Sequence, residues 1–237
     1  MGKGALQDPA RRYLLAALVL PDPESLMQQL QQLRPKPNAY REWFDAIRRD
    51  DVSSVQALLA RGFDPDSVEP ERFDTGLILA VRLKSARVFS LLLTNPQVNI
   101  DARSLNGDTA LMIAAYLSDT TKALALIDKG AAINRPGWTP LHYAAASGNL
   151  TIIRRLLDES AFIDAESPNK TTPLMMAARG GRGDAVRLLL DEGADPSLTN
   201  EAGLTAAAFA QAQGFLALAR ELDAAVKLRP APSSASD

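Results

Sequence analysis

The stretch GWTPLHYAAASGNL, Gly137 to Leu150, holds the only histidine of the chain, His142. Read alone it offers a histidine beside a threonine and a tyrosine, the ingredients of a catalytic base. Read along the chain, it is one copy of a pattern. Thr139 recurs 33 residues on as Thr172, in TTPLMMAARGGRGDAVRLLLDEGADP, and 33 further as Thr205, in TAAAFAQAQGFLALARELDAA. Backwards, Thr109 lies 30 residues earlier and Thr75 a further 34. One more shift of 34 reaches Arg41, where REWFDAIRRDDVSSVQALLARGFDPD fits without the threonine. Six units therefore run from about residue 39 to about 226. A fixed period in this range is the mark of stacked repeats, in which each unit buries its apolar face only against its neighbours.

Each place in the unit has a physical reason. Thr139 caps a first helix through its hydroxyl, and Pro140 suits the first helical position because its missing N–H has no partner there. Leu141, Ala144 and Ala145 make a slim apolar face that lets neighbours stack closely. Gly148 ends that helix where a positive φ is needed. Ile152, Ile153, Leu156 and Leu157 then give the core face of a second helix, and Ala185, Val186, Leu189 and Leu190 repeat it. Gly62, Gly130 and Gly193 close second helices. The ends differ as caps should: Trp43 and Phe44 replace leucine and histidine in the first unit, and Ala206 to Ala208 replace PLH in the last.

The pattern TPLHYAAASGNL followed by IIRRLL, with DEGADPSLTNEAGLT between units, resembles the ankyrin repeat over about four fifths of the chain. The stretches RPGWTPLHYAA and AESPNKTTPLMMAARGG look like those of small bacterial ankyrin-repeat proteins, many of them exported. The resemblance implies an all-α solenoid of six helix-turn-helix units joined by short β-hairpins. It implies that the His142 imidazole hydrogen-bonds within its repeat and to the neighbouring hairpin. Ile78, Met112, Met175 and Ala208 stand at the same place elsewhere.

Composition excludes several chemistries. With no cysteine there is no disulfide, thiolate metal site or cysteine nucleophile. One histidine makes a metal centre unexpected, and no cofactor motif is present. The glycines of RGGRGD, Arg179 to Asp184, fall where the repeat needs a turn rather than a phosphate loop. A net charge of −2 and no basic run weigh against nucleic acid. Acidic pairs such as Asp191 and Glu192 read as solvated helix ends.

Residues 1–38 form a separate N-terminal segment. ARRYLLAALVL, Ala10 to Leu20, has the charged and apolar regions of an export signal and is too short to span a bilayer. No small-residue cleavage site follows, and Asp8 with Pro9 equally suits the start of a soluble helix. The resemblance to exported proteins favours a periplasmic address, with a cytoplasmic one as the alternative. Pro23 to Leu33 reads as a short amphipathic helix, Pro35 and Pro37 as a linker, and residues 227–237 as a disordered tail.

Function is therefore expected to be non-catalytic: a monomeric scaffold binding another protein on its concave face. The ankyrin resemblance places hairpin tips and the exposed sides of the first helices in that face. The residues expected to carry binding are Arg48, Arg49, Arg82, Tyr116, Trp138 and Arg179, since arginine and aromatic side chains dominate binding hot spots. The competing reading for Trp138 is packing on its own hairpin. The competing function, an enzyme or ligand-binding protein working through residues 1–38, has no motif behind it. Two irregularities stand out. The connection from Gly130 to Thr139 is about three residues short, a notch in the row of fingertips. Phe73 and Lys170 occupy the hairpin place held elsewhere by Gly107, Gly137 and Gly203.

Overall fold

The computed structural model describes residues 37–228. The export-signal stretch, the amphipathic stretch after it and the chain beyond Leu228 lie outside the described residues. Within them twelve helices follow in six pairs. Inner and outer helices alternate: α1 (Pro37–Arg48) and α2 (Val52–Ala60), α3 (Gly76–Arg82) and α4 (Ala86–Thr94), α5 (Ala110–Tyr116) and α6 (Thr120–Asp128). Then come α7 (Pro140–Ser147) and α8 (Leu150–Asp158), α9 (Pro173–Arg179) and α10 (Gly183–Asp191), α11 (Ala206–Ala212) and α12 (Leu216–Leu228). The first described helix takes in Pro37, read above as linker, and the last takes in Lys227 and Leu228, read above as tail.

The caps form as the threonines require. Thr75, Thr109, Thr172 and Thr205 each accept a hydrogen bond at the hydroxyl from the backbone N–H three residues on. This satisfies one of the donors that a helix start leaves unpaired. Behind the caps the inner helices are lined with alanine: Ala80, Ala114, Ala144, Ala145, Ala177 and Ala210 are fully buried. One core runs the length of the stack and joins all six units. It is sealed at the N-terminal end by Trp43, wholly buried and stacked on Phe63 at 4.9 Å. A Cβ on Gly76 would come within 3.0 Å of the Trp43 ring, so this seal needs glycine where α3 begins.

Polar groups connect successive units in register. Asp66 accepts from the Asn99 amide, Asp101 from Ala132, Asn134 from Phe162 and Asp164 from Asp195. The pattern is a ladder of side chains, each capturing the backbone of the next unit. Asp50 likewise accepts from the amides of Arg87 and Val88, at the start of α4.

The expected β-hairpins are present as tight finger turns. Each is closed by backbone bonds such as Glu69 to Asp74, Ser104 to Asp108, Ser167 to Thr171 and Asn200 to Leu204. Among the described residues only one pair, Val68 and Thr75, forms a β-bridge. Each finger is numbered by the unit it leads into, and the fourth is the exception. Residues 129–139 join α6 to α7, three or four fewer than join the other units, and no backbone bond closes its tip. Neighbouring fingertips are tied on either side of it: Leu105 donates to the Arg72 carbonyl at 2.7 Å, and Glu201 to that of Asn169 at 3.0 Å.

Candidate partner-binding face

His142 is fully buried and structural. Its Nδ1 accepts from the Thr139 amide at 3.1 Å, and its Nε2 lies 2.8 Å from the Thr171 carbonyl in the next finger. A carbonyl only accepts, so Nε2 carries the proton and the ring is neutral. Burial holds its pKa down at about 4, against the hydrogen bond to Thr171. The Thr139 hydroxyl also lies 2.9 Å from Nδ1, and both side chains are buried away from solvent. Met112 and Met175 reproduce half of its work, their Sδ atoms accepting from the Thr109 and Thr172 amides at 3.4 Å.

The six residues expected to bind a partner divide into two sets. Arg82, Tyr116 and Trp138 belong to one connected cluster. The Arg82 Nε donates to Asp74 at 2.6 Å, and its Nη2 lies 3.7 Å from Asp108. Asp108 also accepts from the Tyr143 hydroxyl. Tyr143 meets Tyr116 edge-on at 6.2 Å and Trp138 at 6.4 Å, and Trp138 also packs on His142 at 5.1 Å. Trp138 is thus half-buried on its own repeat, whereas Tyr116 stands 60% exposed. Leu83, Leu117 and Leu105 are exposed as well. The other set is apart: Arg48 and Arg49 lie in the first unit and Arg179 in the fifth, all three exposed. Arg48 pairs only with Asp45 of its own helix, at 3.3 Å.

Electrostatically the cluster is a buried salt network rather than a free cationic patch. Burial raises the Asp74 carboxyl, and the Arg82 guanidinium opposes that rise. One Asp74 oxygen is buried with no hydrogen-bond partner. Burial, and then Asp108, push the Tyr143 hydroxyl far above its ordinary range, so it stays a donor at all physiological pH. Between the second and third fingers, Arg72, Arg82, Leu105, Asn106 and Asp108 line a concavity of about 400 Å³.

Sequence reasoning missed the organising role of Tyr143. It sits four residues after Thr139, one helical turn along the groove side, and that spacing was the available signal. No group of three or more metal-ligating side chains occurs among the described residues, and no described helix is long and apolar enough to cross a membrane.

The stacked pairs, their threonine caps and the finger row match a known family. A family model for ankyrin repeats in three copies matches residues 43–136 and 124–200. The chain belongs to the ankyrin-repeat family. It is similar to human SH3 and multiple ankyrin repeat domains protein 2, 32% identical over 183 residues, covering 76% of this chain and 10% of that protein. It is similar to the putative palmitoyltransferase ZDHHC13 of Danio rerio, 31% identical over 137 residues, covering 54% of this chain and 20% of that protein. The chain thus spans a fifth or less of these two relatives. Among solved structures it superposes with a TM-score of 0.67 and 25% identity on a chain of the complex titled Bd0816 Predatory Endopeptidase from Bdellovibrio bacteriovorus in complex with immunity protein Bd3460. The likeness covers 77% of this chain and 97% of that one.

Proposed function

We propose that this ankyrin-repeat protein captures a partner protein on its concave face and does no chemistry of its own. The observation that carries the reading is Tyr116: a large aromatic side chain, mostly exposed, in edge-on contact with Tyr143, with Leu83 and Leu117 exposed as well. An exposed aromatic on a rigid support offers contact area at small entropic cost, which is how hot spots work. Trp138 adds its free edge. Arg48, Arg49 and Arg179 supply outlying positive charge that steers an acidic partner, while Arg82 serves by fixing Asp108 and so Tyr143.

The partner we favour is a folded enzyme. The superposed chain comes from a complex between an endopeptidase and an immunity protein. By analogy, the present chain masks an enzyme by covering it. The N-terminal stretch Ala10 to Leu20 is consistent with this happening in the periplasm.

The test is capture of the partner by cross-linking and mass spectrometry from the native cell, with the wild-type chain and two variants. Tyr116→Ala and Trp138→Ala each reduce capture at least tenfold with helical circular dichroism unchanged. Undiminished capture by both would remove the concave face from the reading.

A further inference from the structure

The concavity of about 400 Å³ between the second and third fingers is walled by Glu71, Arg72, Arg82, Leu105, Asn106 and Asp108. Its rim is fixed. The Leu105 amide donates to the Arg72 carbonyl at 2.7 Å, and each finger is closed by its own backbone bond, Glu69 to Asp74 and Ser104 to Asp108. The space is therefore formed before anything enters it. Its charges do not balance. Glu71 and Asp108 stand in the wall, and two more carboxylates are bonded to groups that form it. Asp74 holds Arg82 at 2.6 Å, and Glu69 accepts from the Glu71 and Arg72 amides at 3.2 and 2.7 Å. Against these four acids the wall offers the two guanidiniums of Arg72 and Arg82. Arg48 acts on Glu71 from α1, but Asp45 already matches it at 3.3 Å.

The acids are also short of donors. Asp108 takes the Tyr143 hydroxyl on Oδ1, whereas its Oδ2 faces the Arg82 Nη2 at 3.7 Å, beyond hydrogen-bond reach. Asp74 is 1% exposed, and its Oδ1 has no hydrogen-bond partner. Glu71 is exposed, and among the described residues no cation lies within ion-pair distance of it. A side-chain hydrogen bond to Glu69, and then the Glu69 charge, raise its carboxyl. A group that brings positive charge and several N–H donors completes this set, whereas an anion adds to the excess. Leu105, 64% exposed, supplies an apolar side to the same space.

We propose that this concavity receives a basic side chain, lysine or arginine, from a protruding loop of the partner protein, with its cation between Glu71 and Asp108 and its aliphatic stem on Leu105. The proposal rests on the concave-face reading and gives one point of the partner surface a chemistry. That point is a local cation in a surface steered at longer range by Arg48, Arg49 and Arg179.

Panning a displayed library of short constrained loops against the full chain tests it, with argininamide alone as a second arm. Enriched loops carry Lys or Arg beside an apolar residue. Changing that base to Gln weakens binding about tenfold, as do Glu71→Gln and Asp108→Asn, while Glu192→Gln in the fifth unit changes nothing. Arg72→Gln removes an opposing charge and tightens binding. Glu71 is exposed, so its variant decides the matter even if Asp108→Asn disturbs the bond to Tyr143. Acidic loops that need Arg72 overturn the basic occupant. Loops that bind Glu71→Gln as well as wild type overturn it too, while the concave-face reading survives through loss of binding in Tyr116→Ala. Argininamide that binds as tightly as the loops overturns a partner protein as the source of the cation. Loops indifferent to Glu71→Gln, Tyr116→Ala and Trp138→Ala overturn both readings.

Discussion

At the scale of single residues, the histidine that first suggested catalysis turns out to be a strut. Removing it by His142→Ala leaves the Thr139 amide and the Thr171 carbonyl short of partners, at a cost of about 2 kcal/mol read by urea melting. His142→Met costs less, about 1 kcal/mol, because Met112 and Met175 already show sulfur accepting the capping amide. The same residue sets a pH dependence. Unfolded, it takes a proton near pH 6.5; folded, only near pH 4. Between these values the unfolded chain binds more protons, so stability is full above pH 6.5 and is lost as pH falls towards 4, by about 3 kcal/mol in all. The wild type minus His142→Met difference in stability, followed from pH 7 to 4, should fall from about +1 kcal/mol, cross zero and become negative. A constant difference would contradict the buried neutral ring. His142 was legible because the threonine, the proline and the period all agreed on its place. Arg82 was not. Its position in the groove follows from the repeat, but its neutralisation by Asp74 and Asp108 depends on two carboxylates 8 and 26 residues away in sequence, and no periodic pattern announces such a pair.

At the scale of the element, turns decide the outcome. Phe73 and Lys170, read from sequence as misfits in a glycine position, adopt φ of 54° and 59°. Four more residues share that left-handed backbone without having been foreseen: Asp50, Lys84, Ser118 and Ser160. The reason is visible at Asp50, whose carboxylate gains two amides of the next unit and so offsets the backbone cost. Sequence shows where a glycine is missing; it does not show where a side chain makes its absence tolerable. Lys170 is exposed and makes no such bond, and its neighbour Ser167 supplies the turn closure. Lys170→Gly should therefore stabilise the protein by up to about 1 kcal/mol, raising the melting temperature by about 2–4 °C. Asp50→Gly should do the opposite. A lower melting temperature for Lys170→Gly would mean that the strain is not there.

At the scale of the whole molecule, stability belongs to interfaces. Each inner helix between the ends packs on two other inner helices, whereas α11 has only α9 among the inner helices beside it, and Ala212, Gln213 and Asp223 of the last unit are exposed. Removing residues 197–237 would expose Leu174, Met175, Ala178 and Leu189, all buried in the full chain. The shortened chain should still unfold in one transition, with a lower urea midpoint and a slope reduced by about a sixth, in proportion to the surface lost. Loss of all cooperative folding would show that the units do not act as near neighbours only. The solenoid itself was the most legible level of all, since a period is a property of the whole chain.

The ladder of Asp66, Asp101, Asn134 and Asp164 has a sense of direction. In each of these four bonds to a backbone amide the acceptor belongs to the earlier unit and the donor to the later one, and only Asn134 also donates back, to the Ser160 carbonyl. Each unit added towards the carboxyl end therefore brings the amide that the preceding unit's oxygen receives.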